Sequence, residues 1–271
     1  MRFLRSISRD AALTLLEMMV AITLLAVIML GLVMMFNQTQ KALHIANAQT
    51  DVFENTRIAI ETVTRDVAEM SQFPNLTNSY SVALPSPIPG GTLPLPNGAV
   101  DVDFSEAFWL KRVNDEWQGV GYFVAENPDP KGVRVNTGVG TLYRYFNSVR
   151  KDNAGWLERD YRTNENAYYR VSDGVVHFSL SAAYVVDLGG GTNITYLQTN
   201  NFLFSNDLPA FVDVEVGVLE PTYLKQFQSL SAFDTNAAQN FLANHAGKVH
   251  FFRERVPIRN FINPYRANEV P

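Results

Sequence analysis

The chain has 271 residues, 46% of them apolar and 18% charged, enough hydrophobic material for a packed core and too much for a disordered tail. Its formal charge of −5 argues against a nucleic-acid-binding role. The absence of cysteine removes disulfides, thiolate metal sites and thiol nucleophiles together.

Residues 1–12 are short and basic, with Arg2, Arg5 and Arg9 against a single acid, Asp10, and without them the remainder carries −7. The stretch Leu13-Thr14-Leu15-Leu16-Glu17 follows a pair of small residues, Ala11 and Ala12. From Met18 to Phe36 no residue is charged, and only Thr23 and Gly31 are not plainly apolar. At 1.5 Å per residue this run spans roughly 28 Å, close to the ~30 Å hydrocarbon core of a bilayer. It predicts one membrane-spanning helix over 13–36. By the positive-inside rule the arginines hold the N-terminus in the cytoplasm and send the rest across the membrane.

No proline occurs before Pro74, and after Phe36 the pattern becomes amphipathic without a break. Phe53, Ile60 and Val67 repeat at seven residues, with Thr56, Val63 and Met70 as a second row, so one stripe of a helix over 37–73 is expected to be buried. Asp51, Glu54, Arg57, Glu61, Arg65, Asp66 and Glu69 fill the other positions and are expected to face water. The whole helix would run from about Leu13 to Gln72, roughly 90 Å; the other reading is two separate helices.

Six of the thirteen prolines, with Gly90 and Gly91, fall between Pro74 and Gly98, which reads as an extended linker over 74–98. Beyond it, over 99–271, the period changes to two. Val212–Val218 and Val176–Ala182 alternate strictly, and weaker strand signals cover Ala107–Lys111, Gly119–Ala125, Val139–Phe146, Ala167–Val171, Ile194–Leu197 and Lys248–Val256. A helical interruption is expected at Thr222–Ala246, closed by Gly247 as a C-cap. The fold class is therefore α+β: a long N-terminal helix packed on an antiparallel β-sheet domain.

The four histidines (His44, His177, His245, His250) are too dispersed for a metal motif, and His177 and His250 are expected to face solvent from strands. Asp101-Val-Asp103 and Asp187 through Asn193 carry oxygen ligands suited to calcium but lack complete loop spacing, so they read as solvated turns. No cofactor is expected, calcium being the one ion these carboxylates suit. No arrangement of nucleophile, paired carboxylates or phosphate loop stands out, and Trp109, Trp117 and Trp156 read as sheet and core residues rather than a sugar-binding face.

An acid five residues after a small-residue junction, inside an otherwise apolar helix, is neither an ordinary signal peptide nor a generic anchor. It resembles the class III leader of type IV pilins and type II secretion pseudopilins. The resemblance implies that prepilin peptidase cuts between Ala12 and Leu13 and methylates the new amine of Leu13, making Glu17 the fifth mature residue. The family's commonest pattern has glycine where Ala12 stands and phenylalanine where Leu13 stands. A carboxylate in hydrocarbon costs on the order of 2.5 kcal/mol or more and calls for a cationic partner. The resemblance supplies one: the Leu13 amine of a neighbouring subunit.

Further along, Arg65-Asp66-Val67, Leu142-Tyr143-Arg144, Gly174 through Phe178, Leu208-Pro209 and Val249 through Asn260 resemble the layout of J-type minor pseudopilins and W-type minor pilins. That implies a pilin-like fold and a non-enzymatic subunit of a type II secretion pseudopilus tip that helps to initiate assembly. Its partners would be other minor and major pseudopilins or pilins, prepilin peptidase and inner-membrane lipid, with no nucleic acid. It would be a single-pass protein of the bacterial inner membrane, its C-terminal domain periplasmic. The alternatives are a minor pilin of a type IV pilus, serving adhesion, motility or DNA uptake, and a membrane-anchored periplasmic ligand-binding or enzymatic domain.

Overall fold

The structure, a computed structural model, describes residues 15–71, 80–86, 92–95, 98–126, 137–150, 154–187, 194–199, 202–204 and 208–260. The chain divides into two units, 1–48 and 49–271. Helix α1, Leu15–Ala68, is a single helix that begins in the first and ends in the second.

Within the first unit, every residue of α1 from Leu15 to Asn47 is exposed. In the second unit one stripe of the helix is buried: Val52, Thr56, Ala59, Ile60, Val63, Asp66, Val67 and, just past its end, Met70. Two positions depart from the predicted pattern. Phe53 is 48% exposed, because the buried row passes through Val52, and its ring rests against His250 and Phe252 instead. Asp66, predicted to face water, is wholly buried for an electrostatic reason given below.

Strands β1 (Tyr80–Ser86), β2 (Thr92–Leu95) and β3 (Gly98–Asp101) occupy much of the segment expected to be a linker. Its prolines are accommodated where a ladder tolerates them. Pro85 sits at a register shift between β1 and β4 (Phe104–Val113), and Pro94 lies in the two-stranded ladder of β2 and β3. The remaining strands are β5 (Glu116–Ala125), β6 (Gly140–Arg150), β7 (Tyr168–Asp187), β8 (Ile194–Thr199), β9 (Phe202–Phe204), β10 (Phe211–Leu219) and β11 (Val249–Pro257). Among the described residues nine strands form one sheet. Eight run in the order β11-β10-β7-β6-β5-β4-β1-β9, and β8 pairs with β7. All ladders are antiparallel except one parallel contact, Phe104 against Phe178.

The signals at 167–171 and 176–182 belong to one strand, β7, in which Gly174 (φ +71°) sits at a register shift against β6 and Val176 at one against β10. Its first half pairs with β6 and its second with β10 and β8. His177, predicted to face solvent, is 3% exposed. The start of β4 crosses beside it, the Asp103 N–H donating to His177 Nδ1 at 3.1 Å and the Phe178 N–H to the Asp103 carbonyl at 2.8 Å.

The helical stretch near the C-terminus is two helices, α3 (Pro221–Ser231) and α4 (Thr235–Asn244). Asp234 breaks it, because its carboxylate accepts from the Asn236 and Ala237 N–H groups and caps α4. Gly247 is not a C-cap: α4 ends at Asn244 with His245 as its C-cap, and Gly247 lies in the following 3₁₀ turn. A further helix, α2 (Ala154–Thr163), has no counterpart in the sequence reading.

Two clusters form the core. On one face Val212, Val214, Val216, Phe178 and Leu180 meet Ile60, Val63 and Val67 of α1. On the opposite face Val176, Leu219 and Val249 meet Phe227, Ala238 and Leu242 of α3 and α4. Tyr161 of α2 stacks on Phe108, and at Gly121 a β-carbon would lie 2.5 Å from the Tyr161 ring, so only glycine allows that approach.

Candidate functional site

The polar groups of the apolar part of α1 are largely satisfied inside the helix, as hydrocarbon requires. The Thr23 hydroxyl donates to the Val20 carbonyl at 2.8 Å and that of Thr39 to the Met35 carbonyl at 2.9 Å. The large apolar side chains from Leu15 to Phe36 are each more than half exposed within the described chain, so the segment has no protein core of its own to enter. It is long and apolar enough to cross a membrane, and it anchors the protein there. Glu17 is exposed on its first turn. The bond expected to be cut, Ala12–Leu13, lies outside the described residues.

At its other end α1 is fastened to the sheet by charge. The Asp66 carboxylate accepts from Arg144 Nε at 2.6 Å, Tyr122 OH at 2.7 Å and Lys111 Nζ at 2.9 Å. Lys111 also pairs with Glu69, just past the end of the helix, at 3.2 Å. The four charges cancel, which is the condition for burying them. Burial by itself raises the Asp66 pKa, but the donors from Arg144, Lys111 and Tyr122 outweigh it and hold the carboxyl below its ordinary value. The same surroundings push the Tyr122 phenol well up, through burial first and the Asp66 charge second, so it stays a donor.

The backbone at this end is equally well satisfied. The last carbonyls of a helix have no partner within it. Here Asp66 O accepts from the Trp109 indole at 3.0 Å, Val67 O from the Met70 N–H at 3.1 Å and Ala68 O from the Arg259 N–H at 3.0 Å. The chain then joins the sheet, Met70 bridging Lys111 and the Ser71 N–H donating to the Leu110 carbonyl at 3.0 Å.

The sequence singles out Glu17 and gives no role to Asp66. A signal existed, since on a helical wheel Asp66 lies beside Ala59 and Met70, at the edge of the apolar sector rather than opposite it. Of the other candidates, Trp109 and Trp117 are buried and Trp156 is half-exposed. Among the described residues no group of three or more His, Cys, Asp or Glu is placed to hold a metal, and residues 188–193 of the expected Asp187 turn lie outside them. Two shallow grooves flank Leu224, about 310 and 370 Å³ in volume, and neither gathers nucleophile, base and acid.

No curated protein and no solved structure matches the chain. A family model described as the prokaryotic N-terminal methylation motif matches residues 7–33, so the chain carries the signal of type IV pilins and pseudopilins on the segment that holds Glu17.

Proposed function

We propose that the protein is a minor pseudopilin, a non-enzymatic structural subunit of a type II secretion pseudopilus that helps to start its assembly. The observation that carries this reading is the methylation motif over residues 7–33, on the same helix that ends in a β-rich unit. In this reading prepilin peptidase cuts between Ala12 and Leu13, and the N-methylated Leu13 amine becomes a cation at the start of the apolar helix. Glu17 of a neighbouring subunit accepts it, and the pairing sets the axial stagger as the helix leaves the bilayer. The N-terminus faces the cytoplasm and the β-rich unit the periplasm, where it meets other minor and major pseudopilins.

Glu17→Val tests this in the native host deleted for the wild-type copy. The variant is expected to be cleaved, methylated and inserted, as read by mass spectrometry of its N-terminus and by membrane fractionation, yet to be depleted from sheared filaments. Normal incorporation would refute the pairing. Deletion is expected to abolish secretion of exoproteins with pili intact; loss of piliation with secretion intact would assign the protein to a type IV pilus instead.

A further inference from the structure

The buried stripe of α1 has a weakness as a source of specificity. Val52, Thr56, Ile60, Ala59, Val63 and Val67 are small or β-branched, and sliding the helix by four residues exchanges Val52 with Thr56, Thr56 with Ile60, Ala59 with Val63 and Val63 with Val67. These four exchanges put a side chain of comparable size into the same place, so at these positions non-directional apolar burial distinguishes only weakly between registers about 6 Å apart. The sharpest exception in the stripe is Asp66, which the same slide replaces with Thr62 or Met70; Ile60, Val67 and Met70 meet lesser breaks, giving way in one direction to Thr64, Ser71 and Pro74.

We infer that the cluster of Asp66, Lys111, Arg144 and Tyr122 is the register key of α1: apolar burial holds the helix on the sheet, and the cluster selects the one axial position it takes. The donors come from three adjacent strands, β4, β5 and β6, and converge on one carboxylate at 2.6–2.9 Å. A displacement of one turn takes the carboxylate beyond hydrogen-bonding reach of all three and leaves the Lys111 and Arg144 side chains, 8% and 17% exposed, facing Thr62 or Met70 without the Asp66 counter-ion. A buried polar group that fixes the register of packed helices is a known use of such groups, and here it acts between a helix and a sheet. The neighbouring backbone contacts, of the Trp109 indole on Asp66 O, of the Arg259 N–H on Ala68 O and at Met70 and Ser71, follow in this view from the position that the cluster sets.

The chain has no cysteine, so two introduced cysteines are unique attachment points for spin labels. Ile58→Cys on the exposed side of α1 and Asp115→Cys at the β4–β5 turn report the axial position by pulsed electron resonance on the full chain in detergent micelles. The doubly labelled parent is expected to give one narrow distance. With Asp66→Leu, Lys111→Met, Arg144→Leu and Tyr122→Phe added together, the protein is expected to stay folded but to show a second distance population, displaced by up to ~6 Å. A single unchanged distance would mean that these backbone contacts suffice, and would overturn the inference. Failure of that variant to fold would overturn it too, since burial would then not hold the helix alone. A second variant, Thr62→Asp with Asp66→Thr, moves the carboxylate back one turn and is expected to shift the main distance; an unmoved distance counts against the key.

Discussion

Removing the Asp66 carboxylate should be the most damaging single change in the β-rich unit, and its size can be worked from the contacts. Asp66→Ala leaves the Lys111 ammonium, 8% exposed, and the Arg144 guanidinium, 17% exposed, without the anion between them, and the Tyr122 hydroxyl without an acceptor. Stripping one partner from a buried pair costs about 3–5 kcal/mol. Lys111 keeps Glu69 at 3.2 Å and Arg144 has some access to water, which places the cost at the lower end, about 3 kcal/mol. With a urea dependence of about 2–3 kcal/mol per molar, the unfolding midpoint should fall by roughly 1–1.5 M. The assay is urea unfolding of the full chain in detergent, followed by tryptophan fluorescence, to which Trp109 contributes from directly beside the lesion. A fall smaller than about 0.3 M would refute the reasoning, because the cluster would then be worth no more than a surface pair.

The same carboxylate gives a pH dependence of definite sign: its pKa is depressed in the folded state, so its stabilisation is present above the unfolded value near 3.9 and lost as pH falls through the folded value. Acid titration of the wild type should therefore show a loss of stability below about pH 4 that is weaker in Asp66→Asn. Gly121→Ala places a methyl 2.5 Å from the Tyr161 ring, and overpacking of about 1–3 kcal/mol should lower the melting temperature by several degrees in calorimetry. In Tyr145→Phe the buried Asp160 loses the 2.7 Å hydroxyl donor while keeping Asn147 at 2.7 Å, so a loss of about 1–2 kcal/mol is expected in the same measurement.

Much of the architecture was legible because two periodicities are physically forced. An apolar run of membrane length and the alternation of Val212, Val214, Val216 and Val218 each admit few structures, and α1 and β10 stand where those patterns are. The strands within the proline-rich stretch were not legible, because proline excludes a residue from the middle of a ladder but not from a bulge such as that at Pro85. Helix α2 was hidden for a different reason. Its buried side chains, Leu157, Asp160 and Tyr161, include a carboxylate whose partners Tyr145 and Asn147 come from β6, a pairing that no local pattern records. Asp66 combines both difficulties. Charge argued for the surface, and the donors that reverse the argument lie 45, 56 and 78 residues further along the chain.

The carbonyls closing α1 have a consequence for the order in which the protein can be completed. Ala68 O waits for the N–H of Arg259, and Met70 O for the side chain of Asn260, at 2.8 Å and 190 residues away in sequence. A ribosome releases the helix well before these two residues. A growing chain thus cannot seal the base of its helix until residue 260 has been made, since the pairing of β11 with β10 that brings Arg259 and Asn260 into place must wait for β11. Maturation of the β-rich unit is consequently a closing event with high contact order, expected to be slow and all-or-none rather than piecemeal. Chains cut short before Ile258 would keep most of their strands and still lack the stitch between beginning and end.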